Sequence, residues 1–469
     1  MKTGKPVYYS LPFFIIAIVS RSVEEVSFIY YAVPVLCLFY IFYYLVFIRN
    51  ETRGVIPNKV RDLLLKEDDF SPRLAGDRND KRSVIPNKVR DLFLREKKSF
   101  IIVGLIVIAG LWFLITALWS PFPGMTVKRS LYFILISLGS VFAGMLGRRI
   151  KEETKKPSSI FPGFLLPANI IVILLCFFSL ITGIPSDSWT LGNARGFAGF
   201  FSHQNLLASI LLFTMPGVWL LVVRKWEVGK TKVEIIKNKV KYFQLIACCL
   251  LLIANLFILI LTYSRATLFS LAAGVIVYLV LTKNWKIILY GFLLLLASGI
   301  LTLSIPPLKT EAKKLVYKDF PTFLFTRQWL WEPSYQAALK GGLTGFGYGI
   351  SDPSIILPEG TGSHYDGNVY EREKGNTVLA LTEETGLIGL ILFFLPIIFT
   401  IKIGCMNAWV HAKMQSYSHA IILSAIIAFI LHSQFEAWMV GVGSVQLPLF
   451  FVYIGLLVNS KEYAEVSKE

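Results

Sequence analysis

The chain repeats apolar stretches of about 20 residues from one end to the other, and this pattern constrains the fold more than any other feature. A stretch of that length spans the hydrocarbon core of a bilayer. A soluble chain of 469 residues would bury a large core without such stretches. Hydrophobic residues make up 55% of the sequence, and the mean hydropathy is +0.61. The pattern predicts an all-α polytopic membrane protein.

Hydropathy predicts about twelve transmembrane helices. The predicted spans are 8–20, 28–48, 100–119, 128–146, 164–183, 205–223, 243–263, 266–282, 286–305, 377–401, 417–431 and 443–459. The first apolar stretch is followed by "RSVEEV" rather than by a small-residue cleavage site, so it is predicted to be a span and not a cleaved signal. Between the seventh and eighth spans, little except Ser264 and Arg265 marks a turn.

The lysines and arginines test this layout independently. With the N-terminus inside, 34 of the 47 basic residues fall in the predicted inner loops and the two tails. Inner loops carry such an excess of basic residues, so both termini are predicted to be cytoplasmic. The net charge of +17 is therefore interpreted as a topology signal and as contact with anionic lipid headgroups, and not as a nucleic-acid surface.

The layout divides the chain into five parts. These are N-terminal transmembrane helices (1–48), a cytoplasmic insert (49–99), a transmembrane bundle (100–305), a large extracytoplasmic loop between the ninth and tenth helices (306–376), and C-terminal helices with a short cytoplasmic tail (377–469). In the insert, "VIPNKVRDLLLKED" at 55–68 recurs as "VIPNKVRDLFLREK" at 84–97, and we interpret it as an amphipathic segment on the inner leaflet. A loop as long as 306–376 on a tight bundle is usually functional. The five cysteines show no metal-ligand spacing and none lies in a predicted outer loop, so neither a metal site nor a disulfide is expected.

Polar residues gather at the predicted outer membrane edge. Arg195 precedes the sixth span, Arg265 lies at the junction "TYSRATL", and the long loop projects from the same side. An arginine at membrane depth is a functional hypothesis by default, and its planar guanidinium binds phosphate groups bidentately. Each residue also has a structural interpretation: a lone arginine can extend to lipid headgroups, His203 can be a helix-start residue, and Asn205 can cap the sixth span.

Four segments in this order resemble a known family. They are "RGFAGFFSHQNLLA" (195–208), "LTYSRATLFSLAAG" (261–274), "RQWLWEPSYQAALKGGLTGFGYG" (327–349) and "GNTVLALTEETGLIGL" (375–390). Together they resemble the O-antigen ligase and O-antigen polymerase superfamily, integral-membrane glycosyltransferases that use polyprenyl-diphosphate-linked glycans. The resemblance covers about residues 100 to 455.

The resemblance implies an activity and a set of residues. Arg195 and Arg265 would hold the diphosphate of a polyprenyl-linked donor and stabilise it as a leaving group, so neither a metal nor a cofactor is expected. An acceptor sugar hydroxyl would attack the anomeric carbon with inversion. Further substrate-binding candidates are Arg327, Lys374, Asn376, His203, Asn205 and Trp331. Expected partners are the glycan donor, a glycan or lipid acceptor, the lipid bilayer and a chain-length regulator, with no nucleic acid. The expected location is the bacterial inner membrane, with the site on the periplasmic face.

The chain departs from the family pattern at Gly375. Many ligases of the family have a histidine there, proposed to assist the acceptor hydroxyl. The catalytic base would then come from Glu373 or His364, with Glu371 and Asp366 as further carboxylates nearby. The alternative is that "EREK" is only a solvated loop end. The missing histidine favours a polymerase over a ligase that acts on lipid A core, and a transporter or flippase of lipid-linked sugars is the rival from another class.

Aromatic residues on the predicted outer side also have two interpretations. Trp329, Trp331, Tyr335 and Tyr348 could stack on sugar rings, or could simply lie at the membrane interface, where tryptophan and tyrosine gather. The glycine cluster "GGLTGFGYG" lacks the strand–turn–helix setting and the terminal Lys-Ser/Thr of a nucleotide loop, so it predicts no nucleotide site.

Overall fold

The computed structural model describes residues 5–20, 31–55, 87–154, 160–184, 196–229, 239–317, 325–355, 363–366, 369–413, 417–441 and 443–458. Helices dominate these residues. They are α1 (Lys5–Ser20), α2 (Ala32–Val55), α3 (Asn87–Ile115), α4 (Pro123–Thr154), α5 (Ile160–Thr182), α6 (Gln204–Gly229), α7 (Lys239–Leu261), α8 (Arg265–Leu281), α9 (Trp285–Ser304), α10 (Pro306–Tyr317), α11 (Phe325–Gly341), α12 (Thr377–Lys413), α13 (Ser418–His432) and α14 (Gln446–Val458). A short 3₁₀ turn, Thr116–Leu118, follows α3.

Each of the twelve predicted apolar segments overlaps a helix. Within the described residues, seven helices are long and apolar enough to cross a membrane, and five shorter helices are also apolar. The chain is therefore a helical membrane protein, whereas the count of twelve crossings stays a prediction. Helix α3 begins at Asn87, inside the predicted cytoplasmic insert, and continues into the third span. The first copy of the duplication lies almost entirely outside the described residues.

The long loop is not structureless, and it contains the one exception to the all-α prediction in the described chain. Helices α10 and α11 lie in it, followed by a two-stranded antiparallel hairpin of β1 (Ser363–Asp366) and β2 (Val369–Arg372). Hydropathy could not find this hairpin because its strands are only four residues long and polar.

Buried amides tie the centre of the bundle together. Asn169 of α5 donates to Asn255 Oδ1 of α7 at 2.7 Å and to Thr214 Oγ1 of α6 at 2.8 Å. Asn255 returns a hydrogen bond to Asn169 Oδ1 at 2.9 Å. All three side chains are fully buried. Because lipid offers no hydrogen-bond partner, such polar contacts hold helices in register within a membrane.

Helices α4 and α14 approach each other through small residues. A Cβ added at Gly144 would overlap the carbonyl of Val452, and one added at Gly455 would overlap the carbonyl of Val141. Glycine lets two backbones pack at this distance, which is a common basis of helix association in membranes. This pair forms the most extensive helix–helix interface in the described part of the chain.

Helix α12 is broken at Gly386, where the backbone adopts φ 68° and ψ −177°. The break lets α12 form a backbone ladder with the glycine cluster. Phe346 N–H and Gly347 N–H donate to the carbonyls of Glu383 and Glu384 at 3.0 and 2.8 Å, and Leu387 N–H donates to the carbonyl of Gly342 at 3.0 Å. The glycines of "GGLTGFGYG" therefore serve close backbone packing.

Replacing Gly386 by alanine is expected to destabilise the protein by more than about 2 kcal/mol, because only glycine adopts this backbone conformation readily. In addition, a Cβ at Gly386 would overlap the backbone of Leu343. The measurement is thermal unfolding of the purified protein in detergent. Gly299→Ala is the matched control, since a Cβ there meets nothing within 4 Å on the exposed α9. Equal stability of the two variants would contradict the role given to Gly386.

Candidate functional site

Residues from separate segments of the chain meet at the turn after α13. Glu436 Oε1 accepts one hydrogen bond from Asn205 Nδ2 at 2.9 Å and another from Arg327 Nη2 at 2.5 Å. Arg265 lies close enough to Arg327 for the two guanidinium charges to repel each other. We call Asn205, Arg265, Arg327 and Glu436 the Glu436 cluster. The side chains of Arg327 and Glu436 are 15% and 23% exposed, so the cluster is partly open at the end of the bundle.

A sharp turn positions Arg265 at the start of α8. The preceding Tyr263 has a positive φ of 52°, which separates α7 from α8. Phe197 N–H donates to the carbonyl of Leu261 at 2.9 Å, and a Cβ at Gly196 would overlap the carbonyl of Thr262. The "RG" and "SR" segments are thus in backbone contact. Arg195 itself lies outside the described residues.

A buried histidine fixes the turn that carries Glu436. Trp438 Nε1 donates to His432 Nδ1 at 3.1 Å, so the ring proton of a neutral His432 is on Nε2. Nε2 lies 3.1 Å from Thr267 Oγ1, and Thr267 Oγ1 is 2.9 Å from Ser264 Oγ. His432 is buried and sits within electrostatic range of Glu436. It therefore connects the start of α8 to the turn after α13.

Asn376 and Trp331 attach the start of α12 to the same turn. Asn376 Nδ2 donates to the carbonyl of Gln434 at 3.0 Å, while its Oδ1 accepts from Leu379 N–H at 3.0 Å and so caps α12. Trp331 Nε1 donates to the carbonyl of Gly375 at 3.0 Å. Both predicted residues therefore position the backbone around the cluster.

The structure gives a physical reason for glycine at position 375. Gly375 has a positive φ of 62°, and a Cβ there would lie 3.0 Å from Leu330 Cβ. A side chain at this position would be strained by its backbone and crowded by α11. The departure from the family pattern is thus built into the local packing.

Beside the cluster, four charged residues form what we call the buried ion cluster: Arg372, Lys374, Glu383 and Glu384. Arg372 Nη2 lies 2.7 Å from Glu383 Oε2, and both side chains are fully buried. Lys374 forms an ion pair with Glu384 and lies 3.8 Å from Glu383 Oε2. Lys374, a predicted substrate-binding residue, is therefore engaged with carboxylates of α12.

Asp352 extends this network to the surface. Its backbone N–H donates to Glu383 Oε1 at 2.8 Å, and its Oδ2 lies 3.4 Å from Lys340 Nζ. Burial raises the pKa of the Asp352 carboxyl, but hydrogen bonds from Ser354 and the charge of Lys340 outweigh burial and lower that pKa overall. Asp352 consequently connects Glu383 of α12 to Lys340 of α11.

The remaining predicted residues lie around these clusters. Glu373 is exposed, between the buried Arg372 and Lys374. His364 pairs in register with Glu371 in the β hairpin, and their side chains lie outside the described part. His203 caps α6, since its Nδ1 accepts from Asn205 N–H at 3.1 Å.

The outer aromatic residues divide into two groups. Trp329 and Tyr335 are 57% and 50% exposed, so their rings are accessible. Tyr348 is fully buried, with its ring centroid 4.4 Å from that of Phe113 in a stacked arrangement. Burial raises the pKa of Tyr348 well above its usual range. The sugar-stacking interpretation of Tyr348 is therefore wrong.

A small apolar crevice lies between α6, α8 and α13, deeper along the helices that carry the Glu436 cluster. Its walls are almost entirely apolar and include Trp219, Tyr278 and Phe429. The buried Nε1 of Trp219 has no hydrogen-bond partner among the described residues.

Within the described residues, no group of three or more His, Cys, Asp or Glu side chains is arranged to hold a metal ion. No protein-family model matches the chain, and no curated protein matches its sequence. The functional interpretation rests on the residues brought together at the cluster.

Two residues of this region were missed by sequence reasoning. Neither His432 nor Glu436 belongs to a segment of the family resemblance. Only the predicted topology pointed to them. The short stretch 432–442, between the last two predicted spans, falls on the same predicted side of the membrane as Arg265.

Proposed function

We propose that the protein is a membrane glycosyltransferase that polymerises, or transfers en bloc, polyprenyl-diphosphate-linked oligosaccharide in surface polysaccharide assembly. One observation carries this proposal. Asn205 and Arg327 come from two segments of the family resemblance and both donate to Glu436. Arg265 of a third segment lies within electrostatic range of Arg327, and Asn376 of the fourth holds the neighbouring turn. Residues so far apart in sequence converge in this way where a site is assembled.

The cluster supplies the chemistry that such a transfer requires. Arg265, with Arg195, neutralises the diphosphate as it leaves and thereby stabilises the transition state. In the proposed orientation, the cluster faces the periplasm of a bacterial inner membrane. The reaction needs no cofactor.

Polymerase and ligase are distinguished by the acceptor. Many ligases of the family resembled here carry a histidine at the position of Gly375, and this chain cannot place a side chain there without strain. We therefore favour a polymerase, in which the acceptor is another glycan. A ligase that transfers to lipid A core is the alternative.

One feature bears on the transporter alternative. Interrupted helices are typical of transporters, and α12 is interrupted at Gly386. In a transporter, the exposed backbone at such a break binds ions or substrate. Here the backbone groups beside the break pair with the glycine loop, and Glu383 and Glu384 pair with Arg372 and Lys374. The break serves packing, which favours the transferase.

The size of the lipid-linked glycan in cells that lack this protein tests the proposal. Single repeat units accumulating on the carrier at the periplasmic face indicate a polymerase, and full-length chains there indicate a ligase. Accumulation confined to the cytoplasmic face indicates a flippase. That result, or an unchanged lipid-linked pool, would contradict the transferase.

A further inference from the structure

We propose that Glu436 accepts the proton of the acceptor hydroxyl during transfer; this inference rests on the proposed function. Glu436 is the carboxylate of the Glu436 cluster. Both of its side-chain hydrogen bonds, from Asn205 and Arg327, arrive at Oε1. Within the described chain, Oε2 accepts no hydrogen bond. The two contacts fix the orientation of the carboxylate and leave one oxygen available for a substrate hydroxyl.

Three other titratable groups near the site are buried. Glu383 and Glu384 are buried in ion pairs with Arg372 and Lys374. His432 is buried, with Nδ1 accepting from Trp438 and Nε2 at 3.1 Å from Thr267 Oγ1. None of these presents an atom to a hydroxyl at the surface of the cluster, whereas Glu436 is partly exposed.

The leaving-group contact and the base lie in one place. Arg327 is ion-paired with Glu436 and is close to Arg265, the residue proposed to hold the diphosphate. In this proposal the diphosphate contacts Arg265, and the anomeric carbon lies on the side of Arg327 and Glu436. A general base must reach the hydroxyl directly, and this arrangement places Glu436 to do so.

The step balances without a further reactant. The acceptor hydroxyl oxygen forms a bond to the anomeric carbon while the bond between that carbon and the diphosphate oxygen breaks. The electron pair of the broken bond stays on the diphosphate, next to Arg265. The hydroxyl proton passes to Glu436 Oε2 and is released to water after the product leaves. Nothing is oxidised or reduced.

The test uses the purified full-length protein in proteoliposomes with a polyprenyl-diphosphate-linked repeat unit. Glu436→Gln should lower turnover by about 10²–10⁴-fold, the usual contribution of a general base. Binding of glycan-free polyprenyl diphosphate should stay within about threefold, since it does not involve the proton transfer. The acid limb of the pH–rate profile should disappear in the residual activity. Glu332→Gln is the matched control, because Glu332 is an exposed carboxylate on the same helix as Arg327.

The outcomes separate the two proposals. If the wild type is active and Glu436→Gln turns over at the same rate, the role of Glu436 is overturned and the proposed function stands. An inactive wild type overturns both. If Glu436→Gln does not elute as a folded protein in size exclusion, Glu436→Asp decides instead, because it retains the ion-pairing charge. If Glu436→Asp has a lower turnover and the acid limb of its pH–rate profile moves, the result supports Glu436 as the base. If neither the turnover nor the acid limb changes, the result overturns that role.

Discussion

Arg265→Ala is expected to lower glycan transfer by at least about 10²–10³-fold while the protein stays folded and inserted, because one preorganised charge at the leaving group contributes on this scale. Arg265 is only half-buried, so its removal leaves no charge stranded in the core. The measurement is turnover in proteoliposomes, with size exclusion as the check on folding. Lys286→Ala is the control. Lys286 is an exposed cation at the start of α9, just beyond the turn that follows α8.

Arg195→Ala is expected to give the same loss, and Arg265→Lys an intermediate one, because lysine keeps the charge but cannot bind phosphate bidentately. Full activity of either alanine variant would remove the diphosphate role from that residue alone. Equal losses in Arg265→Ala and Lys286→Ala would point to surface charge rather than to a specific contact.

Glu383→Gln is expected to destabilise the protein by about 3–5 kcal/mol, because it leaves the buried guanidinium of Arg372 without its ion-pair partner. Arg372 is fully buried, and its Nε and Nη1 have no hydrogen-bond partner among the described residues. It therefore depends on the 2.7 Å contact with Glu383. Thermal unfolding in detergent measures the effect.

The double variant Arg372→Met/Glu383→Met distinguishes the loss of a charge partner from the loss of side-chain packing as the cause of the destabilisation. Removing both charges is often neutral or stabilising, so the double variant should recover most of the lost stability. The exposed Glu332→Gln again serves as the single-site control. A Glu383→Gln protein as stable as this control would show that the buried ion cluster does not hold the long loop to α12.

Hydropathy predicted the helices because the bilayer requires apolar length, a property of local sequence. It placed their ends less well. Helix α4 continues to Thr154 through "GRRIKEET", and α12 continues to Lys413, since a helix can extend beyond the membrane where its composition turns polar. The break between α7 and α8 was predicted from Ser264 and Arg265 alone, and the structure places a positive φ at Tyr263.

Motifs marked some residues of the Glu436 cluster, whereas another is recognised only from its contacts. Asn205, Arg265 and Arg327 were identified from their segments, and the structure gathers them. Glu436 lies in a short loop with no recognisable motif, so only the three-dimensional contact reveals it. Lys374 appeared available for substrate because the sequence does not show that it folds back onto Glu384, ten residues later.

The backbone ladder between the glycine cluster and α12 has an evolutionary consequence. The carbonyls of Glu383 and Glu384 receive N–H groups from Phe346 and Gly347, so two stretches about forty residues apart share one set of hydrogen bonds. Substitutions in one stretch are therefore constrained by the other, because a Cβ added at Gly345 would overlap the backbone of Glu384. We expect "GGLTGFG" and "EETG" to be inherited as a coupled unit, even in descendants whose substrate has changed.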